Sequence, residues 1–310
     1  MENTRAKTTR NSLILLLTAA IWGMAFVSQS KGMDYMHPFT FNGVRSLIGA
    51  VSILVYILIS RKIAGDKAVP LDWKLNVKAG LLCGIFLTIA STLQQFGIKY
   101  TSVGKAGFIT TLYIIFVPMF GIFLKKKVAP VVWAAAAMAA VGMYLLCMTE
   151  SLRLGAGDIM VFLCAIAFAI QIMTVDHYAA RIDGAVVSCI QFTVCGVVCC
   201  IGALICGQPT FDQLREGLGA LLYAGVLSCG VGYTLQIVGQ KGLNPTVAAL
   251  IMSLESVIAT ISGWIAYKID LLSTDQTLTG RQIAGCVIVF AAVILVQLPP
   301  EWFRFGKKNV

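Results

Sequence analysis

Residues 12–30, 38–60, 77–98, 103–124, 130–148, 157–179, 184–206, 217–240, 245–267 and 280–298 form ten mostly apolar blocks joined by short polar connections. About 20 apolar residues in a helix cross a bilayer, so each block is long enough for one crossing. No stretch between blocks is long enough for a separate soluble domain. Inside lipid the backbone must satisfy its own polar groups, which an open sheet does not do and a helix does. The expected fold is therefore all-α, a polytopic membrane protein with ten transmembrane helices. Composition agrees: 58% of residues are hydrophobic and 12% charged, where a soluble domain carries about 25% charged. The basic start followed by an apolar run has the outline of a signal peptide. The run is too long for one, and no small-x-small cleavage site ends it, so the first block is read as a retained helix.

The formal net charge of +10 raises the question of an acidic partner, but its placement answers otherwise. With the N-terminus inside, the inner segments hold Arg5, Lys7, Arg10, Arg61, Lys62, Lys67, Lys74, Lys78, Lys125, Lys126, Lys127, Arg181, Lys241, Arg304, Lys307 and Lys308. The outer segments hold only Lys31, Lys99, Lys105, Arg153, Arg215, Lys268 and Arg281, and Arg45 lies within a span. This bias puts both termini in the cytoplasm of a cell-membrane protein, and no nucleic-acid partner is expected. The ten cysteines sit in or at the ends of apolar blocks, where Cys acts as a small buried hydrophobe. With only His37 and His177 in the chain, no metal site or other cofactor is expected.

Shifted by 142 residues, the stretch TLQQFGIKYTSVGKAGFITTLYIIFVPMFG (92–121) aligns without gaps on TLQIVGQKGLNPTVAALIMSLESVIATISG (234–263), with nine identities in thirty columns. Polar residues and glycines match as well as apolar ones: Gln94 meets Gln236, Gly97 meets Gly239, Lys99 meets Lys241. The chain thus divides into two halves, 1–150 and 151–310, each with five blocks. Five is odd, so the second half would enter the membrane upside down relative to the first. Inverted repeats are the architecture of many secondary transporters, with the binding site near the midplane.

The ordered set AAIWGMAFV (19–27), FNGVRSLIGAV (41–51), YTSVGKAGFITTLYIIFVPMF (100–120) and ALIMSLESVIATISGW (249–264) resembles the ten-helix EamA family of the drug/metabolite transporter superfamily, over essentially the whole chain. The resemblance implies a central cavity lined by the third, fourth, eighth and ninth helices with help from the first and sixth. It also implies alternating access without ATP. Two features depart from the family pattern: Ser256 follows Glu255 where Glu-Pro is frequent, and FLKKK (123–127) and IAYKID (265–270) replace a frequent Gly-Glu. The departures bear on the shape of the ninth helix and on any coupling role for the second glutamate, which this chain lacks.

Glu255 is the carboxyl in the middle of the ninth block. A charge at a helix centre costs on the order of 2.5–3.5 kcal/mol on insertion scales, and such residues usually face a bundle interior or an aqueous cavity. Three roles are open to it: counter-ion for a cationic substrate, proton carrier, or partner in a buried ion pair with Arg45. Its repeat mate is Tyr113. Gln94 and Gln236, on opposite sides of the midplane, are expected either as polar steps of a pathway or as interhelical hydrogen bonds. Trp22 and Trp264 lie within spans and serve either a cavity wall or packing; Trp133 and Trp302 suit interfacial anchoring. Pro118, which withdraws one helical hydrogen bond, is the hinge candidate. Gln171 and Gln191 are further polar points, and Gln191 is the repeat counterpart of Arg45.

The reading is a secondary active transporter, taken as an exporter, of small metabolites such as amino acids or amines, working by rocking of two inverted halves. Its partners would be a small-molecule solute and the lipid bilayer, with protons a candidate coupling ion. The absence of the P-loop pattern GxxxxGK[ST] argues against ATP as the drive. A non-transporting receptor or scaffold and an intramembrane enzyme are the alternatives, the latter lacking a nucleophile–base or metal-ligand constellation.

Overall fold

Local signals at the block boundaries become helix caps. In the computed structural model, which describes residues 2–65, 70–125, 129–147, 155–207, 209–272 and 277–297, His37 precedes Pro38 at the start of a helix and accepts from the Phe39 amide. Asp72 accepts from the Leu75 amide, Asp183 from those of Ala185 and Val186, and Asn244 from that of Thr246. Each satisfies a backbone donor that a helix start leaves free.

The resulting helices are α1 (Glu2–Gly32), α2 (Pro38–Ala64), α3 (Trp73–Ile98), α4 (Val103–Phe123), α5 (Pro130–Cys147), α6 (Ala156–Tyr178), α7 (Gly184–Cys206), α8 (Leu218–Gln240), α9 (Pro245–Lys268) and α10 (Gly280–Gln297). A short helix, Phe211–Glu216, precedes α8. All regular structure among the described residues is helical. Eight of these helices, α1–α4 and α6–α9, are long and apolar enough to cross a membrane. Eight of the expected ten spans are thus shown, and the other two are shorter apolar helices. α5 and α10 have 18 residues each, which at about 1.5 Å per residue falls just short of a hydrocarbon core about 30 Å thick. Trp302, Lys67, Lys126, Lys127, Arg153, Arg304, Lys307 and Lys308 lie outside the described residues.

Neighbours in the bundle do not follow chain order. α3 packs mainly on α6 and α7, and α8 on α1 and α2. α9 lies against α1 and α4, α4 also against α6, α2 against α7, and α5 against α10. The two sequence halves are thus interleaved. One bundle contains α1, α8 and α9; another contains α6, α3 and α4.

Glycines allow these approaches, and their contacts recur between the halves. A Cβ on Gly97 of α3 would fall 2.8 Å from the Gly157 carbonyl of α6 and against Val161. A Cβ on Gly239 of α8 would meet Leu15 of α1 at 2.8 Å and the Asn11 carbonyl at 3.2 Å. Likewise Gly84 of α3 faces Gln191 and Val194 of α7, while Gly225 of α8 faces Arg45 and Ile48 of α2. A Cβ on Gly142 of α5 would fall 2.9 Å from the Gly285 carbonyl of α10. Small residues let helices meet where lipid offers no hydrophobic drive to association.

Gly97→Ala should therefore lower the melting temperature of the detergent-solubilised protein, by overpacking worth about 1–3 kcal/mol. Gly219→Ala, where a Cβ meets nothing within 4 Å, should leave it unchanged or slightly raised. Equal melting of both variants would contradict close packing at Gly97.

Candidate functional site

Two breaks in the helices organise the centre of the bundle. α4 consists of Val103–Thr111 and Tyr113–Phe123, and α9 of Pro245–Met252 and Leu254–Lys268. Just before the second piece of each, a hydroxyl turns back onto its own helix. Thr111 Oγ1 donates to the Phe108 carbonyl at 2.8 Å, and Ser253 Oγ to the Leu250 carbonyl at 2.7 Å. Such back-bonding competes with the backbone ladder and bends helices. In α9 a second serine, Ser256, donates to the Ser253 carbonyl at 2.8 Å. α9 therefore breaks without the proline that Ser256 replaces. The break in α4 lies at Leu112, not at Pro118, which is buried inside the second piece.

The breaks deliver Tyr113 as the first residue of its second piece and Glu255 as the second residue of its own. Tyr113 Oη donates to Glu255 Oε1 at 3.0 Å across a sequence separation of 142 residues, the shift that aligns the repeats. Both are buried, at 2% and 4% exposure. Glu255 lies in the first turn of its helical piece, where the helix dipole favours negative charge.

Around this pair lies a narrow cavity of about 30 Å³, measured at the centres of water-sized molecules. One water needs about 10–15 Å³ on that measure, so the cavity has room for about two. Its wall draws on α1 (Trp22, Gln29), α3 (Gln94), α4 (Thr110, Tyr113), α6 (Phe168, Gln171), α8 (Ser228, Tyr233, Gln236), α9 (Glu255) and, from α2, Arg45. Gln94 Nε2 donates to Thr110 Oγ1, and Gln236 Nε2 to Gln171 Oε1, each at 3.2 Å. The Trp22 indole donates to the Ser228 carbonyl at 3.4 Å, and its ring lies 4.5 Å from that of Tyr233.

Arg45 is 5% exposed. Its Nε donates to Asn42 Oδ1 at 3.0 Å, and its guanidinium carbon lies 5.5 Å from the Phe41 ring centroid. Asn42 in turn donates to Ser91 Oγ at 3.0 Å and Cys199 Sγ at 3.2 Å, which anchors it between α3 and α7. Among the described residues the ion pairs are Lys31–Asp34 and Lys105–Asp158. Arg45 and Glu255 thus wall one cavity without forming the ion pair weighed for them. Trp264 is half-buried and does not line the cavity.

Several wall residues escape a linear reading. Tyr233 of α8 falls on Ser91 at the repeat shift and so carries no match, whereas Gln29, near one end of α1, had a signal: 142 residues on stands Gln171, also in the wall. Asn42 had a signal, since it stands three residues before Arg45 and so on the same helix face. Three buried wall atoms have no hydrogen-bond partner: Gln29 Oε1, Gln171 Nε2 and Gln236 Oε1.

Comparison with known proteins follows the same two-part division. A model of the EamA-like transporter family matches residues 10–148 and again 155–298. The chain is 27% identical over 290 residues to an uncharacterized transporter of Archaeoglobus fulgidus, covering 92% of this chain and 84% of that one. It is 23% identical over 298 residues to one from Clostridium kluyveri, covering 91% of each. Identity to the uncharacterized transporter YoaV of Bacillus subtilis is 20% over 303 residues, covering 96% and 98%. A solved crystal structure superposes with a TM-score of 0.73 at 15% identity, covering 96% of this chain and 99% of the other; it shares the fold.

A double-mutant cycle on thermal stability tests the central pair. Tyr113→Phe and Glu255→Gln should each destabilise, and together cost less than their sum, with a coupling of about 1.5–3 kcal/mol expected for a hydrogen bond to a charged group. Strict additivity would mean that the two side chains do not interact.

Proposed function

We infer the function from the family to which the chain belongs: it is a member of the EamA-like transporter family, matched over both parts of its length, and a multi-pass membrane protein. On that premise we propose a secondary active transporter, acting as an exporter, for small metabolites such as amino acids or amines. The observation that carries this reading is a polar cavity held at two helix breaks, with Glu255 and Tyr113 meeting at its wall.

In the proposed topology α5 and α10 are the fifth and tenth spans, both termini are cytoplasmic, and residues 1–150 and 151–310 are inverted repeats in the cell membrane. The recurring contacts support it. Gly97 meets Gly157 and Val161 as Gly239 meets Asn11 and Leu15, and Thr111 bonds Phe108 as Ser253 bonds Leu250. Two equivalent positions, such as Tyr113 and Glu255, touch each other only close to the axis relating the repeats. Such an axis in the membrane plane places a binding site near the midplane.

Alternating access then consists of motion between the interleaved bundles, α1–α8–α9 against α6–α3–α4, rather than between the sequence halves. The hydrogen bonds Tyr113–Glu255 and Gln236–Gln171 cross this seam. A cavity with room for about two waters is a contracted state, and a metabolite enters when the seam opens on one side. Glu255 is the counter-ion for a cationic group of the solute and the candidate carrier of a coupled proton; Pro118 and the two breaks are the flexible points.

Proteoliposomes provide the test. A panel of amino acids, amines and organic cations, with and without a pH gradient, should yield a solute-evoked current or labelled flux that Glu255→Gln abolishes or reduces about tenfold or more, the cost of losing a buried charge partner. An unaltered response in folded Glu255→Gln removes Glu255 from binding and coupling. No flux of any solute, charged or labelled, overturns transport.

A further inference from the structure

A larger cavity opens at the end of the bundle where α2, α6 and α8 finish and α3 and α7 begin. Its volume is about 650 Å³, and it shares no described wall residue with the central cavity. The wall carries three cations, Arg61, Arg181 and Lys241, and two carboxylates, Asp72 and Asp183. Both carboxylates are held by helix starts. Asp72 accepts from the Leu75 amide at 2.9 Å, and Asp183 from the Ala185 and Val186 amides at 2.9 and 3.1 Å. There each negative charge meets the positive end of a helix dipole. Asn76, 1% exposed, fixes the two caps side by side. Its Nδ2 donates to the Asp72 carbonyl at 2.8 Å, and its Oδ1 accepts from the Asp183 N–H at 2.9 Å.

Lys241 and Arg181 meet uncharged partners instead. Lys241 Nζ donates to the Ile182 carbonyl at 3.2 Å, and a terminal nitrogen of Arg181 to the His177 carbonyl at 3.4 Å. The Arg181 guanidinium also lies 5.9 Å from the Tyr178 ring centroid. Neither side chain has an ion pair among the described residues. An ammonium has three donors and a guanidinium five, so the cavity keeps a positive field with donors to spare. Its flank is apolar. Tyr56, 60% exposed, continues the wall with Ile57 and Val238, beside the exposed Val55 and Ile59 of α2. Cations at the end of the bundle and apolar side chains running from them into the bilayer match the two parts of a phospholipid.

We propose that this cavity binds an anionic phospholipid of the adjacent leaflet, with Arg181, Lys241 and Arg61 receiving the phosphate and Tyr56, Ile57 and Val238 lying along an acyl chain. Basic pockets between transmembrane helices on the cytoplasmic side bind anionic headgroups, and in the topology proposed above this end is cytoplasmic. Charge-assisted hydrogen bonds from guanidinium and ammonium groups to phosphate oxygens are among the strong ones. A zwitterionic headgroup brings a cation of its own beside Arg181 and Lys241 and gains less. A free phosphate has the same anionic chemistry but nothing to cover the apolar flank. Lys241 ends α8 and Arg181 follows α6, so a bound headgroup reaches across the seam between the two bundles and ties them at this end.

Native mass spectrometry and melting curves of the detergent-solubilised full chain test this with three probes: phosphatidylglycerol, phosphatidylcholine with the same acyl chains, and glycerol phosphate. Phosphatidylglycerol should bind about tenfold or more tighter than phosphatidylcholine and raise the melting temperature, as a ligand of the folded state does. Glycerol phosphate should do neither. Arg181→Gln and Lys241→Gln should each weaken phosphatidylglycerol about tenfold or more, the size of one hydrogen bond between charged groups, and leave phosphatidylcholine as it was. Lys241→Arg, which keeps the charge, should retain most of the binding and separates loss of the site from loss of the fold. Lys78→Gln removes an exposed cation of α3 that does not line the cavity and should change binding little. Equal binding of the two lipids, binding unaltered in both glutamine variants, or an equal loss in Lys78→Gln overturns the site. Glycerol phosphate acting as strongly as the lipid overturns the lipid and leaves a receiver of soluble phosphate. Transport is decided separately by the flux assay: lipid preference can hold where no solute is carried, and flux can persist where the two lipids bind alike.

Discussion

A polar side chain in a water-free helix bundle must find a partner inside the protein, because leaving it bare costs on the order of 1–3 kcal/mol. Nearly everything specific about this structure answers that demand. Asn42 spans to Ser91 and Cys199 while its oxygen holds Arg45. Gln236 meets Gln171, Gln94 meets Thr110, and Tyr113 meets Glu255. Of the residues whose polar atoms remain unmet, Gln29, Gln171 and Gln236 line the same cavity, while others such as Gln95 and Gln191 lie elsewhere.

The breaks in α4 and α9 are the second consequence of the same economy of hydrogen bonds. A helix interior satisfies its own backbone, so side chains at its surface point outward from a continuous rod. A hydroxyl that takes a carbonyl from the ladder, as Thr111 and Ser253 do, loosens one turn and re-aims the next residues. Tyr113 and Glu255 sit at those re-aimed positions. Glycines complete the geometry by letting α3 approach α6 and α8 approach α1 until side chains meet backbone. The result is an interleaved bundle in which no sequence half forms a unit of its own.

Much of this was legible in the residues. Ten apolar blocks announce a helical membrane protein because lipid admits little else. The 142-residue shift pairs Tyr113 with Glu255 and Gln94 with Gln236, and all four line the cavity. Less was legible where the cause is three-dimensional. Pro118 marks one point of α4 where a helical hydrogen bond is withdrawn, and Thr111 adds a break at Leu112 that no proline announces. Ser256 cast doubt on the shape of α9, yet serines break it in the same place. Trp264 shares a helix with Glu255 but turns away from the cavity. Ser228 and Tyr233 carry no pattern that sets them apart, and only packing brings them to the wall.

The sequence by itself determined the solvent of the fold, the helical class and the repeat. Each of these follows from composition, block length and periodicity, which are local properties of a chain. Tertiary structure decided which bundle each helix joins and that Arg45 holds Asn42 rather than Glu255. It also decided that both charges open onto one cavity. These depend on helix rotation and on which small residues let backbones meet, and interactions between residues far apart in the chain settle both.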